Sequence, residues 1–262
     1  MRMAAPGTVY LVGAGPGDPE LLTLRAARLI GTASCLLHDD LVPEELLSLA
    51  RPDAVVCNVG KRCGQKSIEQ HEIHRLMIEH TRAGHSVVRL KSGDPMVFGR
   101  AGEEMQALSE AAIPFEVIPG ITAASAAAAA VRIPLTDRRG AARVLFTTGH
   151  HATPDRQSCP AYAPDTTLVR YMPGKDYAAI RAELMDAGWP KDTQCIVLSH
   201  AGLPTQQIQR TSLADLSGIE ALPPPSILMV FPMRIGSQRP CGRALSTRGD
   251  RIRRDPLTQT EF

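Results

Sequence analysis

Residues 9–19 read VYLVGAGPGDP, and the way this stretch turns decides between two kinds of α/β protein. Val9–Val12 is an apolar run of the kind that forms a buried strand, and glycines follow at 13, 15 and 17. A dinucleotide-binding turn reads G-x-G-x-x-G, its third glycine letting the next helix pack closely on the strand. Here that third place is Asp18. Pro16 also removes a backbone donor from the turn. A carboxylate at the helix start opposes a pyrophosphate, which would use the same positive end. Asp39 and Asp40 stand about 20 residues on, where the acidic residue of a dinucleotide fingerprint belongs, so NAD binding stays open as a runner-up. On pattern Asp39 reads equally as a sugar-binding carboxylate or as a helix N-cap before Pro43.

Working outward, strand and helix signals alternate. Asp18 and Pro19 are expected to cap and open a helix running to Ile30. Short strands are expected at Cys35–His38, Ala54–Val59, Ser86–Leu90 and Phe115–Ile118, with helices between them and another at Thr122–Ala130. Apolar strands alternating with helices predict a mostly parallel sheet covered on both faces. Beyond IPLTDRRG (133–140) strands come in quicker succession: Arg143–Thr148, Thr167–Tyr171, Cys195–Ser199, Gln207–Thr211 and Ser226–Phe231. A helix at Asp176–Ala187 and a short one near 213–220 interrupt them, and the sheet is expected to be mixed. The fold class read from this is α/β, with two α/β domains, 8–137 and 138–235.

The chain has 262 residues, 44% hydrophobic and 21% charged, an ordinary globular balance. Aromatics make up 4%, which argues against a base-stacking nucleic-acid platform. Six arginines against three carboxylates give residues 236–262 a net charge of +3, leaving −1 on the rest of a chain whose total is +2. That tail lacks apolar periodicity and is expected to carry no ordered structure. The six cysteines, at 35, 57, 63, 159, 195 and 241, include no C-x-x-C pair and read as reduced cytoplasmic thiols. No signal peptide and no membrane span are expected. HEIHRLMIEH (71–80) puts His71, His74 and His80 on a helix without H-E-x-x-H spacing; they read as solvated histidines, and no metal site is expected.

Loops at the carboxyl ends of parallel strands line the ligand crevice. Residues 13–18, 38–40, 60–64, 92–100 and 119–122 should therefore converge. These loops carry GAGPGDPELLTL, HDDLV, VGKRCG, VRLKSGDPMVFGRAGEE and PGITAASAAAA; IPLTDRRG, TTGH and YMPG follow. In that order, over about residues 8–235, they resemble the signatures of the uroporphyrinogen-III C-methyltransferases of the tetrapyrrole methylase family.

The resemblance implies a cytoplasmic homodimer that uses S-adenosyl-L-methionine, held in an active-site cleft between the two domains, needs no metal and binds neither nucleic acid nor membrane. It implies conversion of uroporphyrinogen III to precorrin-2 by two successive methylations, toward sirohaem, cobalamin or haem d1. Methylation of another precorrin, or a non-catalytic binding role on the same scaffold, stays open. Donor contacts carry over to Pro16, Ser92, Gly93, Asp94, Val97, Thr122, Ala123, Met172 and Ala201. Asp39 matches the proton acceptor and Lys61 the donor, while Arg100, Glu103, Arg138 and Met172 match positions that hold or act on the macrocycle. An octa-carboxylate substrate suits fixed arginines, which grip carboxylates with two parallel bonds. Several positions depart from the family's usual residues: His38 in place of tyrosine, Asp40 of arginine, Ser92 of glycine, Ala201 of glycine, and a last strand ending Val230-Phe231-Pro232 without the usual glycine. Asp40 beside Asp39 is expected to act as a coupled carboxylate pair.

Overall fold

A computed structural model describes residues 3–60, 69–150 and 159–232. The tail after residue 235, and Lys61 with it, therefore lies outside the described residues. The first half runs β1 (Val9–Gly13), α1 (Leu24–Thr32), β2 (Cys35–His38), α2 (Glu44–Leu47), β3 (Val55–Asn58), α3 (Gln70–Arg82), β4 (Val87–Lys91), α4 (Ala101–Glu110), β5 (Phe115–Ile118) and α5 (Ala123–Val131). The five strands form one sheet in the order β3-β2-β4-β1-β5, every neighbouring pair parallel.

Strand alternation sorts side chains to two faces. Tyr10 and Val12 pack with Ala26, Leu29, Ile30 and Leu46 of α1 and α2. Val9 and Leu11 pack with Ile73, Met77, Ala101 and Leu108 of α3 and α4. The handedness of crossovers requires this split: β1 to β2 moves one way along the sheet and β4 to β5 the other, so right-handed connections place their helices on opposite faces. The reversal falls between β1 and β4, and the crevice of an open α/β sheet lies at such a point.

The second half runs β6 (Arg143–Thr148), β7 (Thr166–Tyr171), α6 (Tyr177–Asp186), β8 (Gln194–Ser199), β9 (Gln207–Ser212) and β10 (Ser226–Phe231). Its order is β6-β7-β10-β8-β9; β6–β7 is parallel and the other three pairs are antiparallel. This is the mixed sheet expected. One face meets α6 through Tyr177, Ile180 and Leu184. The other meets α5, whose Ala124, Ala126, Ala127 and Val131 pack on Val169, Ile196, Met229 and Phe231. Alanine suits this role because its short side chain lets helix and sheet backbones approach closely.

Two elements differ from expectation. The helix expected over 19–30 is a single 3-10 turn, Pro19–Leu21, followed by extended residues and then α1. Asp18 does cap, accepting from the Glu20 amide at 2.9 Å, but Thr23 is the second and stronger start signal, accepting from Ala26 at 3.1 Å. The helix near 213–220 shrinks to a 3-10 turn, Leu216–Gly218. Among the described residues, no helix is long and apolar enough to cross a membrane.

Candidate active site

Glycine geometry brings the loops of the first sheet into contact. The Gly15 and Gly93 backbones exchange hydrogen bonds of 3.1 and 2.7 Å, joining the loops after β1 and β4. A Cβ on Gly13 would lie 2.6 Å from Gly120 Cα, and one on Gly120 would lie 2.3 Å from the Gly93 carbonyl oxygen. No side chain fits at either place, so three strand ends close around bare backbone. Asp94 ties the same loops: its carboxylate accepts from the Met96 amide at 2.8 Å and from the Gly120 amide at 2.9 Å.

The opening turn then faces the second sheet. The Cβ position of Gly202, in the loop after β8, lies 3.5 Å from Pro16 Cγ, and that of Gly17 lies 2.7 Å from Leu203 Cδ2. Since α1 begins only at Leu24, the glycine turn carries no α-helical N-terminus to hold a pyrophosphate. The geometry thus disfavours the dinucleotide reading. Across the seam, Thr122 Oγ1 and the Tyr171 hydroxyl are 2.5 Å apart. The Tyr171 ring packs against Phe98 and Phe146 at centroid distances of 4.9 and 5.6 Å. Val97, Ala123 and Ala201 join the same apolar cluster as Tyr171. Pro16, Ser92, Gly93, Asp94, Val97, Thr122, Ala123 and Ala201 thus line one seam between the two sheets. Met172 follows Tyr171 and exposes its side chain, and its carbonyl crowds Gly149.

Backbone strain gathers here as well. Phe98, Arg100, Met172 and His200 have φ of 52, 56, 49 and 52°, in the left-handed region that costs non-glycine residues about 1 kcal/mol or more each. All four sit on loops at strand ends facing the seam. His200 is held further: the Ser199 hydroxyl donates to the Pro223 carbonyl at 2.5 Å, so the 2.7 Å contact with His200 Nδ1 has the imidazole donating.

Asp39 and Asp40 do not form the carboxylate pair expected from sequence. Asp40 accepts from Asn58 Nδ2 at 2.8 Å, and Asn58 Oδ1 accepts from the Gly60 amide at 2.8 Å. Asp39 turns instead to Arg89 Nη2. Successive residues leaving a strand point to opposite sides, so each carboxylate finds its own partner. Nor does Asp39 cap α2, whose N-cap residue is Pro43 with no side-chain bond.

Arg89 was missed by the sequence reading, as were Lys91 and Glu104. Arg89 Nε donates to Glu104 Oε1 at 3.0 Å and Lys91 Nζ donates to the same oxygen at 2.9 Å. All three side chains are at most 4% exposed. Burial works against the Arg89 charge, but the carboxylates of Asp39 and Glu104 more than offset it and raise its pKa. Burial first, then the Arg89 charge, lowers that of Lys91. The available signal was two cations in Val87–Lys91, a central parallel strand buried on both faces, where charges must be paired. His74, read as solvated, turns to Gln70 Nε2 at 3.3 Å, and burial lowers its pKa.

The residues expected to meet the substrate, Arg100, Glu103 and Arg138, are exposed. Arg100 makes two bonds to Glu103, of 2.8 and 2.6 Å, with both side chains about half exposed. Arg138 is exposed on the turn where Arg139 pairs with Asp137; that pairing lowers the Asp137 pKa to about 2.

Residues 8–217 match the family model described as Tetrapyrrole (Corrin/Porphyrin) Methylases. Over 215 residues the chain is 49% identical to the S-adenosyl-L-methionine-dependent uroporphyrinogen III methyltransferase, chloroplastic, of Arabidopsis thaliana, covering 80% of this chain and 58% of that one. It is 44% identical over 229 residues to a siroheme synthase of Psychrobacter sp. (strain PRwf-1), covering 86% and 47%. The chain thus spans about half the length of these curated relatives. Among solved structures, uroporphyrin-III C-methyl transferase from Thermus thermophilus complexed with S-adenyl homocysteine superposes with a TM-score of 0.74 at 39% identity, covering 85% of this chain and 96% of that one. A cobalt precorrin-4 methyltransferase gives 0.72 at 29% identity, covering 86% and 94%.

Proposed function

This chain belongs to the tetrapyrrole (corrin/porphyrin) methylases, and from that premise we propose that it methylates uroporphyrinogen III twice, giving precorrin-2, with S-adenosyl-L-methionine as methyl donor. The observation that carries the reading is the seam itself. Gly13 and Gly120 close on each other and on the Gly93 carbonyl without room for a Cβ, while a Cβ at Gly93 would have only the Ala123 amide within 4 Å, and these loops lie beside the apolar cluster of Val97, Ala123, Tyr171 and Ala201. That combination suits a flat adenine and a ribose better than a pyrophosphate. Two of the proteins it resembles are named as methyltransferases of uroporphyrinogen III or uroporphyrin III.

When bound, the sulfonium donor supplies a methyl group on a neutral thioether leaving group. The chain's own work is alignment and proton transfer. Ser92, Gly93, Asp94, Thr122 and Ala123 seat the donor, with Pro16, Val97, Met172 and Ala201 closing around it. Arg100 and Arg138, with Glu103, orient the carboxylate-rich macrocycle so that an electron-rich pyrrole carbon lies in line with the methyl group. The new C–CH3 bond leaves a cation on the macrocycle. It loses a proton to the Asp39 carboxylate, and Lys61 serves as proton donor. Arg100 begins paired with Glu103; a half-exposed pair of this kind is worth at most about 1 kcal/mol, so a substrate carboxylate displaces Glu103 at small cost.

Incubation with uroporphyrinogen III and methyl-labelled donor, followed by mass analysis, is expected to show two added methyl groups. None, or methyl transfer only to a later precorrin, would overturn the reading. A homodimer belongs to the same proposal, and sedimentation of the same preparation as a monomer would remove it.

A further inference from the structure

The titratable and strongly polar groups around Asp39 in the described structure come from β2, β3, β4, α3 and α4, and Arg89, Lys91 and Glu104 are the buried, ion-paired members of the set. From β2 and the residues after it come Asp39, Asp40 and His38, whose Nδ1 lies 3.0 Å from the Asp39 carbonyl oxygen. Asn58, at the end of β3, holds Asp40. Arg89 and Lys91 come from β4, and Glu104 from α4. Gln70 and His74 come from α3, with Gln70 Nε2 3.5 Å from Glu104 Oε1. Arg89 is the hinge of this set. Besides Asp39 and Glu104, it donates to the Leu37 and Leu90 carbonyls at 3.3 and 3.2 Å, which fixes its guanidinium beneath the loop that carries Asp39. Glu104 is fully buried, and its second oxygen has no hydrogen-bond partner among the described residues. Its charge is therefore presented to Arg89 and Lys91 through one atom.

We propose that Arg89 is a positioning residue that holds the Asp39 carboxylate oriented toward the cleft, and that Glu104 anchors Arg89 from behind. The inference rests on the reading of Asp39 as proton acceptor. Asp39 is 29% exposed while Arg89 is 2% exposed, so one end of the pair faces solvent and the other is locked in the sheet. Two cations and two carboxylates balance, which is what lets ions stay buried at all. A carboxylate free to rotate would meet the developing cation in only some of its orientations. Lys91 neutralises the half of Glu104's charge that Arg89 does not use, so Glu104 holds Arg89 without drawing it away from Asp39.

The test uses Arg89→Met/Glu104→Gln, which removes one charge of each sign and so spares the fold an unpaired buried ion. Binding of S-adenosylhomocysteine by calorimetry is expected to be unchanged, because among the described residues neither side chain hydrogen-bonds to residues 13–18, 92–100 or 119–122. With KM for uroporphyrinogen III unchanged, kcat is expected to fall by about tenfold or more, the effect of a misaimed proton acceptor. A wild-type kcat overturns the proposal, and so does a fall in kcat matched by weaker donor and substrate binding, which marks a packing defect only. If the double variant fails to bind the donor product, Arg89→Lys is read by the same split: a lysine cannot span both carboxylates, and a wild-type kcat there is equally fatal. Asp39→Asn separates the two ideas. It is expected to lose about a hundredfold or more in rate. If it keeps its rate, the proton-acceptor reading has failed and takes this inference with it; if it loses rate while the Arg89 variants stay normal, only the positioning role is wrong.

Discussion

Arg100 shows how much depends on a single exposed side chain. Its backbone is left-handed, at φ 56°, and it is also the N-cap residue of α4. The strained backbone aims the guanidinium along α4, where Glu103 receives both of its arms. The Glu103 bond raises the Arg100 pKa further, so the group stays a cation at any working pH. A lysine at 100 would keep the charge but could not make two parallel bonds to a substrate carboxylate. Arg100→Lys is expected to lose about tenfold to a hundredfold in kcat/KM, the effect of one charged hydrogen bond of about 1.5–3 kcal/mol. Near-normal kinetics would return Arg100 to a surface role. The position was legible in sequence from its motif; its resting partner was not, because Arg100 and Glu103 face each other only through the turn that α4 happens to start.

Among the elements, α5 departs most from the division read along the chain. It precedes residue 138, yet its buried alanines pack on the second sheet. Thr122, at its N-terminus, makes no side-chain cap, since its hydroxyl is spent on Tyr171. This helix therefore links the donor loop to the second sheet, and changes in its packing should reach the site. Ala127 has no exposed surface, and Ala127→Leu is expected to overpack the interface at a cost of about 1–3 kcal/mol. Urea unfolding should show that loss; a variant with unchanged stability would mean α5 has room against the sheet that the packing denies. A run of alanines signals close packing, but it does not say against which neighbour.

At the scale of the whole molecule the described residues of the two halves meet through Pro16 and Gly17 against Gly202 and Leu203, Thr122 and Phe98 against Tyr171, Arg210 donating to the Val131 carbonyl at 3.2 Å, and the buried face of α5. A ligand seated in that seam touches both halves and stabilises both. At a hundred times its dissociation constant, S-adenosylhomocysteine is expected to add about 2.7 kcal/mol to the folded state and to raise the thermal midpoint in a single transition. NAD at the same concentration is expected to leave the midpoint unchanged, because the glycine turn offers a pyrophosphate no helix end. A shift with NAD and none with S-adenosylhomocysteine would refute the assignment of the seam.

Sequence alone determined the order of the strands and of the longer helices, the misfit of the opening turn to G-x-G-x-x-G, the change to a mixed sheet after residue 140, and the resemblance to the family through its loop motifs. Each of these is written in neighbouring residues: apolar period, turn chemistry, and glycine or proline where the backbone needs them. Only the tertiary structure decided where Asp39 and Asp40 point, that Arg89, Lys91 and Glu104 form one buried set, and that α5 packs on the second sheet. Those facts depend on partners dozens of residues away. Arg89 meets Asp39 across 50 positions, and Thr122 meets Tyr171 across 49. A charge can be read from one letter, but the ion or hydroxyl that satisfies it is chosen by the packing of sheets and helices, and no local pattern records that choice.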